Sequence, residues 1–205
     1  MPTSPPDPDP APPRVLVLGP AESGKSAVAE QLLSAHAEVI YLATGPVPPR
    51  ADDPQVDAPQ ADTEWAHRVE AHRRRRPPGW STLETDDTAT ICALLTTPGP
   101  PVLIESLGTW VAAALQRPDP QRETAEFATA WAASRRPVVL VAEETGWGVI
   151  PATAVGRAFR TAQGRASAML SAGATRVLLV VAGRVLELPA AAPLPVGAPD
   201  LTAEL

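Results

Sequence analysis

Short apolar runs alternate along this chain with longer stretches whose apolar residues recur every three or four positions. The runs are RVLVL at 14–18, VIYLA at 39–43, VLIE at 102–105, PVVLVA at 137–142 and RVLLVVA at 176–182. None alternates apolar with polar, so each reads as a strand covered on both faces. The intervening stretches predict helices over 25–34, 63–76, 88–95, 109–115, 122–134 and 153–172. In the first of these Val28, Leu32 and Leu33 share the inward face, and the second stops ahead of Pro77-Pro78. Short strands are expected at 81–83 and, after a turn at Gly183, at 185–188. This order predicts an α/β fold: a mostly parallel sheet with helices on both faces. The last two strands, joined at Gly183-Arg184, can close one edge as an antiparallel hairpin. No internal repeat and no second domain is visible.

Composition sharpens the boundaries. The 26 prolines gather in 1–13, 46–59 and 189–199. Residues 1–13 therefore read as a disordered proline-rich tail, 14–188 as one folded domain, and 189–205 as a flexible C-terminal tail. A chain of 205 residues suits one domain of ordinary size. The net charge of −6 argues against nucleic acid or an anionic membrane as the principal partner. No apolar run reaches the roughly 20 residues of a membrane span. The first residues lack the basic start and apolar stretch of a signal peptide. Cys92 is the only cysteine, which excludes a disulfide framework and fits a reducing cytoplasm.

The chemistry is concentrated in Gly19-Pro20-Ala21-Glu22-Ser23-Gly24-Lys25-Ser26. This GxxxxGKS string follows a strand and opens a helix, the setting in which loop amides and a helix N-terminus cradle phosphates. Lys25 is the only lysine of the chain; every other basic position is arginine. A slim ammonium can fold over such a loop where a planar guanidinium cannot. Ser26 is placed to hold Mg²⁺ through its hydroxyl, and Glu105, at the end of a neighbouring strand, to bind the same ion. His72 precedes Arg73-Arg74-Arg75-Arg76. Read alone this is a solvated basic helix end; beside a P-loop, four arginines in an acidic chain can grip a triphosphate. His36 and His67 carry only a surface reading. Glu143-Glu144-Thr145-Gly146-Trp147-Gly148 forms a tight loop after the fourth long strand. Trp65, Trp80, Trp110 and Trp131 read as core.

Taken together, GPAESGKS at 19–26, VIYLATG at 39–45, RVEAHRRRRPPGWSTLE at 68–84, VLIESLGTWVAAAL at 102–115 and the segment 138–183 resemble one family. It is the bifunctional adenosylcobinamide kinase/adenosylcobinamide-phosphate guanylyltransferase family of cobalamin biosynthesis. The segment HRRRRPPGW is similar to its hallmark His-Arg-x-x-Arg-Pro-x-x-Trp, which generic P-loop proteins lack. The resemblance implies a RecA-like P-loop domain assembled as a trimer. It implies two reactions: transfer of a γ-phosphate from GTP or ATP to adenosylcobinamide, then of GMP from GTP to adenosylcobinamide phosphate through a GMP–histidine intermediate. His72 falls at the GMP-carrying position and Arg73 to Arg76 on the nucleotide-contacting run. Glu84 and Glu105 match two GTP-contacting carboxylates, and Ala43-Thr44-Gly45 a contact after the second strand. No corrinoid-binding residue carries over.

The chain departs from the family pattern at Pro20 and Glu22, where Gly and Arg are usual, at Glu143, where Asn is usual, and at Ala113-Ala114 and Ser167. Proline removes an amide that can face phosphate, and Glu22 reverses a charge. These changes leave open a relative with one activity only, or a GTP-binding protein without turnover.

Overall fold

The computed structural model describes residues 11–46 and 63–190. Within them lie seven strands, β1 (Arg14–Gly19), β2 (Val39–Ala43), β3 (Trp80–Glu84), β4 (Val102–Glu105), β5 (Val138–Glu143), β6 (Arg176–Val181) and β7 (Arg184–Leu188). Six helices connect them: α1 (Lys25–Leu32), α2 (Thr63–Arg75), α3 (Thr88–Thr96), α4 (Leu107–Ala114), α5 (Pro120–Ala132) and α6 (Ala154–Gly173). The strands form one sheet in the order β3-β2-β4-β5-β1-β6-β7, parallel except for the β6–β7 edge hairpin. The expected α/β architecture is thus observed. The proline-rich stretches at 1–10, 47–62 and 191–205, including most of both expected tails, lie outside the described residues.

Successive side chains of a strand point to opposite faces, and here both faces are apolar. Val15, Val17, Tyr41, Leu103, Val139 and Val141 pack on the α1 side with Ala29 and Leu33. Leu16, Leu42, Ile104, Leu140 and Ala142 pack on the other side against α3, α4, α5 and α6. Trp110 and Phe127 meet there edge to face with centroids 5.0 Å apart, and the Trp131 indole donates to the Leu170 carbonyl at 2.9 Å. Trp80, Trp110 and Trp131 are buried, as the sequence reading expected; Trp147 is 64% exposed.

Several helices begin earlier than the apolar spacing indicates, because their first turns are set by caps. Ser106 and Thr109 form a reciprocal capping box, so α4 opens at Leu107. Asp119 accepts from the Arg122 amide and Pro120 takes the first helical position, where its missing N–H costs nothing, so α5 opens there. The tip of the edge hairpin is Ala182-Gly183, both at positive φ (51° and 71°), and Arg184 already belongs to β7. That pair of left-handed residues makes a tight turn matching the twist of the strands.

Candidate active site

All parallel strands end on one side of the sheet, and the chemistry gathers there. The loop from β1 to α1 leaves the sheet centre, between β5 and β6. Glu22 and Gly24 adopt left-handed backbone, with φ of 56° and 92°. Gly19 admits no side chain: a Cβ would stand 2.5 Å from the Val180 carbonyl oxygen. No side chain caps α1 at Gly24, so its first-turn amides remain available to an anion. Lys25 is buried and folds back over the loop, its Nζ donating to the Pro20 carbonyl at 3.2 Å. The loop is braced from the far side, where the Gly183 amide of the hairpin tip donates to the Ser23 carbonyl at 3.0 Å.

Strand register places three functional candidates in one row. Ala43 of β2 is level with Glu84 of β3 on one side and Glu105 of β4 on the other. Glu105 turns toward the loop: its Oε1 accepts from the Ser26 hydroxyl at 2.7 Å, while its Oε2 is buried and has no donor among the described residues. Burial, and to a lesser degree the neighbouring charge of Glu143, push its carboxyl up to about 7, against the opposing pull of Ser26 and Lys25. Thr44, also buried, points inward, donating to the Ser106 carbonyl at 2.6 Å and lying 2.7 Å from the Thr109 hydroxyl.

The C-terminal end of α2 packs beside β2 and β3, and its basic residues go to separate partners. Arg73 pairs with Glu84 at 2.9 Å. Arg74 turns outward to Glu70 of its own helix at 2.9 Å. Arg75 reaches α1, donating through two nitrogens to Glu30 at 3.2 and 3.3 Å. Arg76 lies 3.5 Å from the centroid of the Tyr41 ring and donates to the Thr82 hydroxyl at 2.8 Å. His72 faces inward: the Tyr41 hydroxyl and an Arg75 nitrogen each stand 3.2 Å from its Nδ1. A guanidinium can only donate. Nδ1 is therefore an acceptor in this arrangement, and a neutral ring carries its proton on Nε2. Burial and the charge of Glu105 hold the Tyr41 hydroxyl well above its ordinary range, so it keeps its proton and donates as well.

The P-loop, Ala43, Glu84 and Glu105 thus share one end of the sheet, with Ser26 and Glu105 in direct contact; His72 lies beside Tyr41 at mid-strand and is linked to α1 through Arg75 and Glu30, while Arg74 turns away. Three participants escaped the sequence reading. Tyr41 sits in an apolar strand and reads as core. Glu30 reads as an exposed helix residue. Glu143 stood out only as a departure from a pattern, yet its Oε2 accepts from the Gly108 amide at 2.9 Å, at the first turn of α4. A Cβ on Gly108 would stand 2.3 Å from that oxygen, so this arrangement of the Glu143 carboxylate depends on the glycine. No cluster of three or more His, Cys, Asp or Glu fit for a metal occurs among the described residues.

A phosphate loop at the centre of a parallel sheet, with a lysine folded over it and a carboxylate on the adjoining serine, defines a P-loop nucleotide-binding protein. Comparison with known proteins carries this further. The model of the CobU family, cobinamide kinase / cobinamide phosphate guanyltransferase, matches residues 15–188. The chain belongs to this family and is an enzyme, a transferase with a P-loop. It is 34% identical over 186 residues to the bifunctional adenosylcobalamin biosynthesis protein CobU of Escherichia coli K12, covering 82% of this chain and 96% of that protein. It is 32% identical over 177 residues to the bifunctional adenosylcobalamin biosynthesis protein CobP of Pseudomonas aeruginosa, covering 83% and 94%. Among solved structures, the flagellar accessory protein FlaH of Methanocaldococcus jannaschii aligns with a TM-score of 0.38 at 13% identity, over 85% of this chain and 76% of that one. No described helix is long and apolar enough to cross a membrane.

Proposed function

We propose that this enzyme phosphorylates adenosylcobinamide and then transfers GMP from GTP to adenosylcobinamide phosphate, with His72 carrying the GMP between donor and acceptor. The observation that carries the reading is the position of His72. Its imidazole lies on the α1 face of the sheet beside Tyr41, on a helix end tied to α1, the helix that follows the P-loop, by the Arg75–Glu30 pair and to β3 by the Arg73–Glu84 pair.

In the proposed cycle the loop amides and Lys25 hold the nucleotide phosphates. Arg75 exchanges its contacts with Glu30 and the imidazole for the triphosphate, a stronger partner for a guanidinium than a neutral ring. With the Tyr41 hydroxyl turned away as well, that exchange frees the Nδ1 lone pair. The ring attacks the α-phosphorus, a nitrogen–phosphorus bond forms, and pyrophosphate leaves with the electrons of the broken phosphorus–oxygen bond. The acceptor's phosphate oxygen then displaces the imidazole. Arg73 and Arg76, at the same helix end, lie where they can offset charge on the leaving group.

The residues also suit a divalent cation such as Mg²⁺. The buried, unsatisfied Oε2 of Glu105 and the Ser26 hydroxyl bonded to the same carboxylate are an oxygen donor set of the right chemistry. Such an ion, when bound with nucleotide, supplies charge neutralisation at the β- and γ-phosphates. On this reading the domain is 14–188 with tails on either side, and the homotrimer expected from the family is its working form.

The test is intact-mass measurement of the purified protein after incubation with GTP and Mg²⁺, beside His72→Ala. A gain equal to one GMP in the wild type, absent from the variant, is the expected result. No gain in either protein refutes the histidine intermediate.

A further inference from the structure

One cavity among the described residues lies apart from His72 and its arginines. It has a volume of about 380 Å³ and lies between the loop after β5 and the first half of α6. Glu143, Gly146, Ile150, Arg160, Gln163 and Gly164 are among its walls. Its wall residue Glu143 is a strand neighbour of the start of the phosphate loop. Gly19 is the register partner of Glu143 across β1 and β5, and the Glu144 amide donates to the Gly19 carbonyl at 2.9 Å. Adjacent strands run about 5 Å apart, so the Glu143 backbone is next to the first residue of that loop. The nearness is also felt electrostatically, because Glu143 is one of the charges acting on Glu105.

The wall is built. Arg160 donates to the Gly146 carbonyl at 2.5 Å, and Arg157 to the carbonyls of Pro151 and Ala152 at 3.1 and 2.8 Å. These contacts fasten the loop to α6. Gln163, 1% exposed, donates to the Glu143 carbonyl at 3.1 Å, while its own Oε1 is buried without a donor. The Glu143 carboxylate is anchored through Oε2 by the Gly108 amide; its Oε1 accepts no hydrogen bond among the described residues. Beside the cavity Trp147, Val149 and Ile150 are exposed and apolar and fall within four consecutive residues.

We propose that this cavity receives the hydroxyl-bearing side arm of the corrinoid acceptor, and that Glu143 takes the proton of that hydroxyl during phosphoryl transfer. The inference rests on the function proposed above and gives its first step an acceptor site. A corrin is larger than the cavity. Only a side arm enters, and the apolar ring lies against the exposed Trp147–Ile150 segment. In the step itself the hydroxyl proton passes to a Glu143 oxygen while the hydroxyl oxygen bonds to the γ-phosphorus. The bond from that phosphorus to the β–γ bridging oxygen breaks, and its electron pair leaves with the nucleoside diphosphate. A carboxylate held by one oxygen and open at the other suits this task.

Gly164 allows a test that leaves Glu143 alone. It lies on α6 in the cavity wall, with nothing within 4 Å of the place its Cβ would take, so a side chain there starts from open space. Gly164→Phe, Gly164→Ala and Glu143→Gln would be assayed for phosphoryl transfer to cobinamide and for GMP attachment to His72 from GTP alone. Gly164→Phe is expected to raise the acceptor KM at least about 10-fold, with GMP attachment preserved and Gly164→Ala close to wild type. Glu143→Gln, which can still accept from Gly108, is expected to lower kcat by roughly 10²-fold or more with little change in acceptor KM. A wild-type acceptor KM in Gly164→Phe overturns the cavity assignment, and a wild-type kcat in Glu143→Gln overturns the proton-acceptor role. Should Gly164→Phe fail to attach GMP, Thr161→Trp at an exposed position of the same wall replaces it, with the same two outcomes. A wild-type protein that attaches GMP but phosphorylates no cobinamide refutes the kinase reading itself, a different result from either.

Discussion

Replacing Glu105 by glutamine should make the nucleotide-free protein more stable at pH 8 and leave it nearly unchanged at pH 5. The carboxyl titrates near 4.5 when exposed and near 7 in the fold, chiefly because its surroundings shut out water. Between those values the folded state binds more protons than the unfolded one, so stability falls as pH rises through the window. Above about pH 7 both states are ionised and the loss is complete. At about 1.4 kcal/mol per pH unit the full loss is roughly 3 kcal/mol. For a chain of this size that is a difference of roughly 6–12 °C in midpoint. Glutamine keeps the shape and an acceptor for Ser26 but carries no charge to bury. The assay is thermal or urea unfolding of both proteins at intervals from pH 4.5 to 8.5, free of nucleotide and divalent cation. The difference between the two proteins isolates this group from every other titration. Midpoints that run parallel across the range would refute the reasoning, and would mean that the carboxylate is hydrated or neutralised in the fold. Adding GTP and Mg²⁺ at pH 8 should then stabilise the wild type more than the variant.

Other substitutions probe the supports of the site. Tyr41→Phe keeps the ring under Arg76 but removes a donor from the His72 Nδ1 lone pair; GMP attachment should be no slower than in the wild type, with a stability loss of about 1 kcal/mol, read by timed intact mass and by urea unfolding. Gly108→Ala displaces the end of the Glu143 side chain and removes its bond to the Gly108 amide, and should cost about 1 kcal/mol or less in urea unfolding. Arg136 is buried and donates to the carbonyls of Thr97, Pro98 and Pro100 at 2.7, 3.1 and 3.2 Å, holding the turn that leads into β4. Arg136→Ala strands these three acceptors and should cost about 2–4 kcal/mol, measured in the same way, without a specific effect on GMP attachment once folded.

Much of this molecule is legible in the chain because its signals are local. Five strands are unbroken apolar runs, and the phosphate loop lies within eight consecutive residues. The ends of α4 and α5 were equally local: Ser106 three residues before Thr109, and Asp119 before Pro120, are capping signals that apolar spacing alone passes over. Side-chain destinations are another matter. Four consecutive arginines look like one cationic grip, but successive helix positions are about 100° apart. The helix therefore sends them to β3, to solvent, to α1 and to the Tyr41 ring. Tyr41 could not be separated from the core residues on either side of it, because only the arrival of α2 gives its hydroxyl a partner. Glu143 is similar, its role depending on an amide 35 residues earlier in the chain.

The strand order has a consequence for how the enzyme comes into being. The phosphate loop is written within the first 26 residues of the sequence, yet β1, which carries it, bonds on one side to 138–143 and on the other to 176–181. The turn that steadies Ser23 comes later still, at Gly183. A growing polypeptide on the ribosome thus carries this motif for most of its synthesis as a string of residues with nothing to lie against. Nucleotide can act as a folding ligand only when the last strands emerge, so competence for GTP is acquired late and in one step.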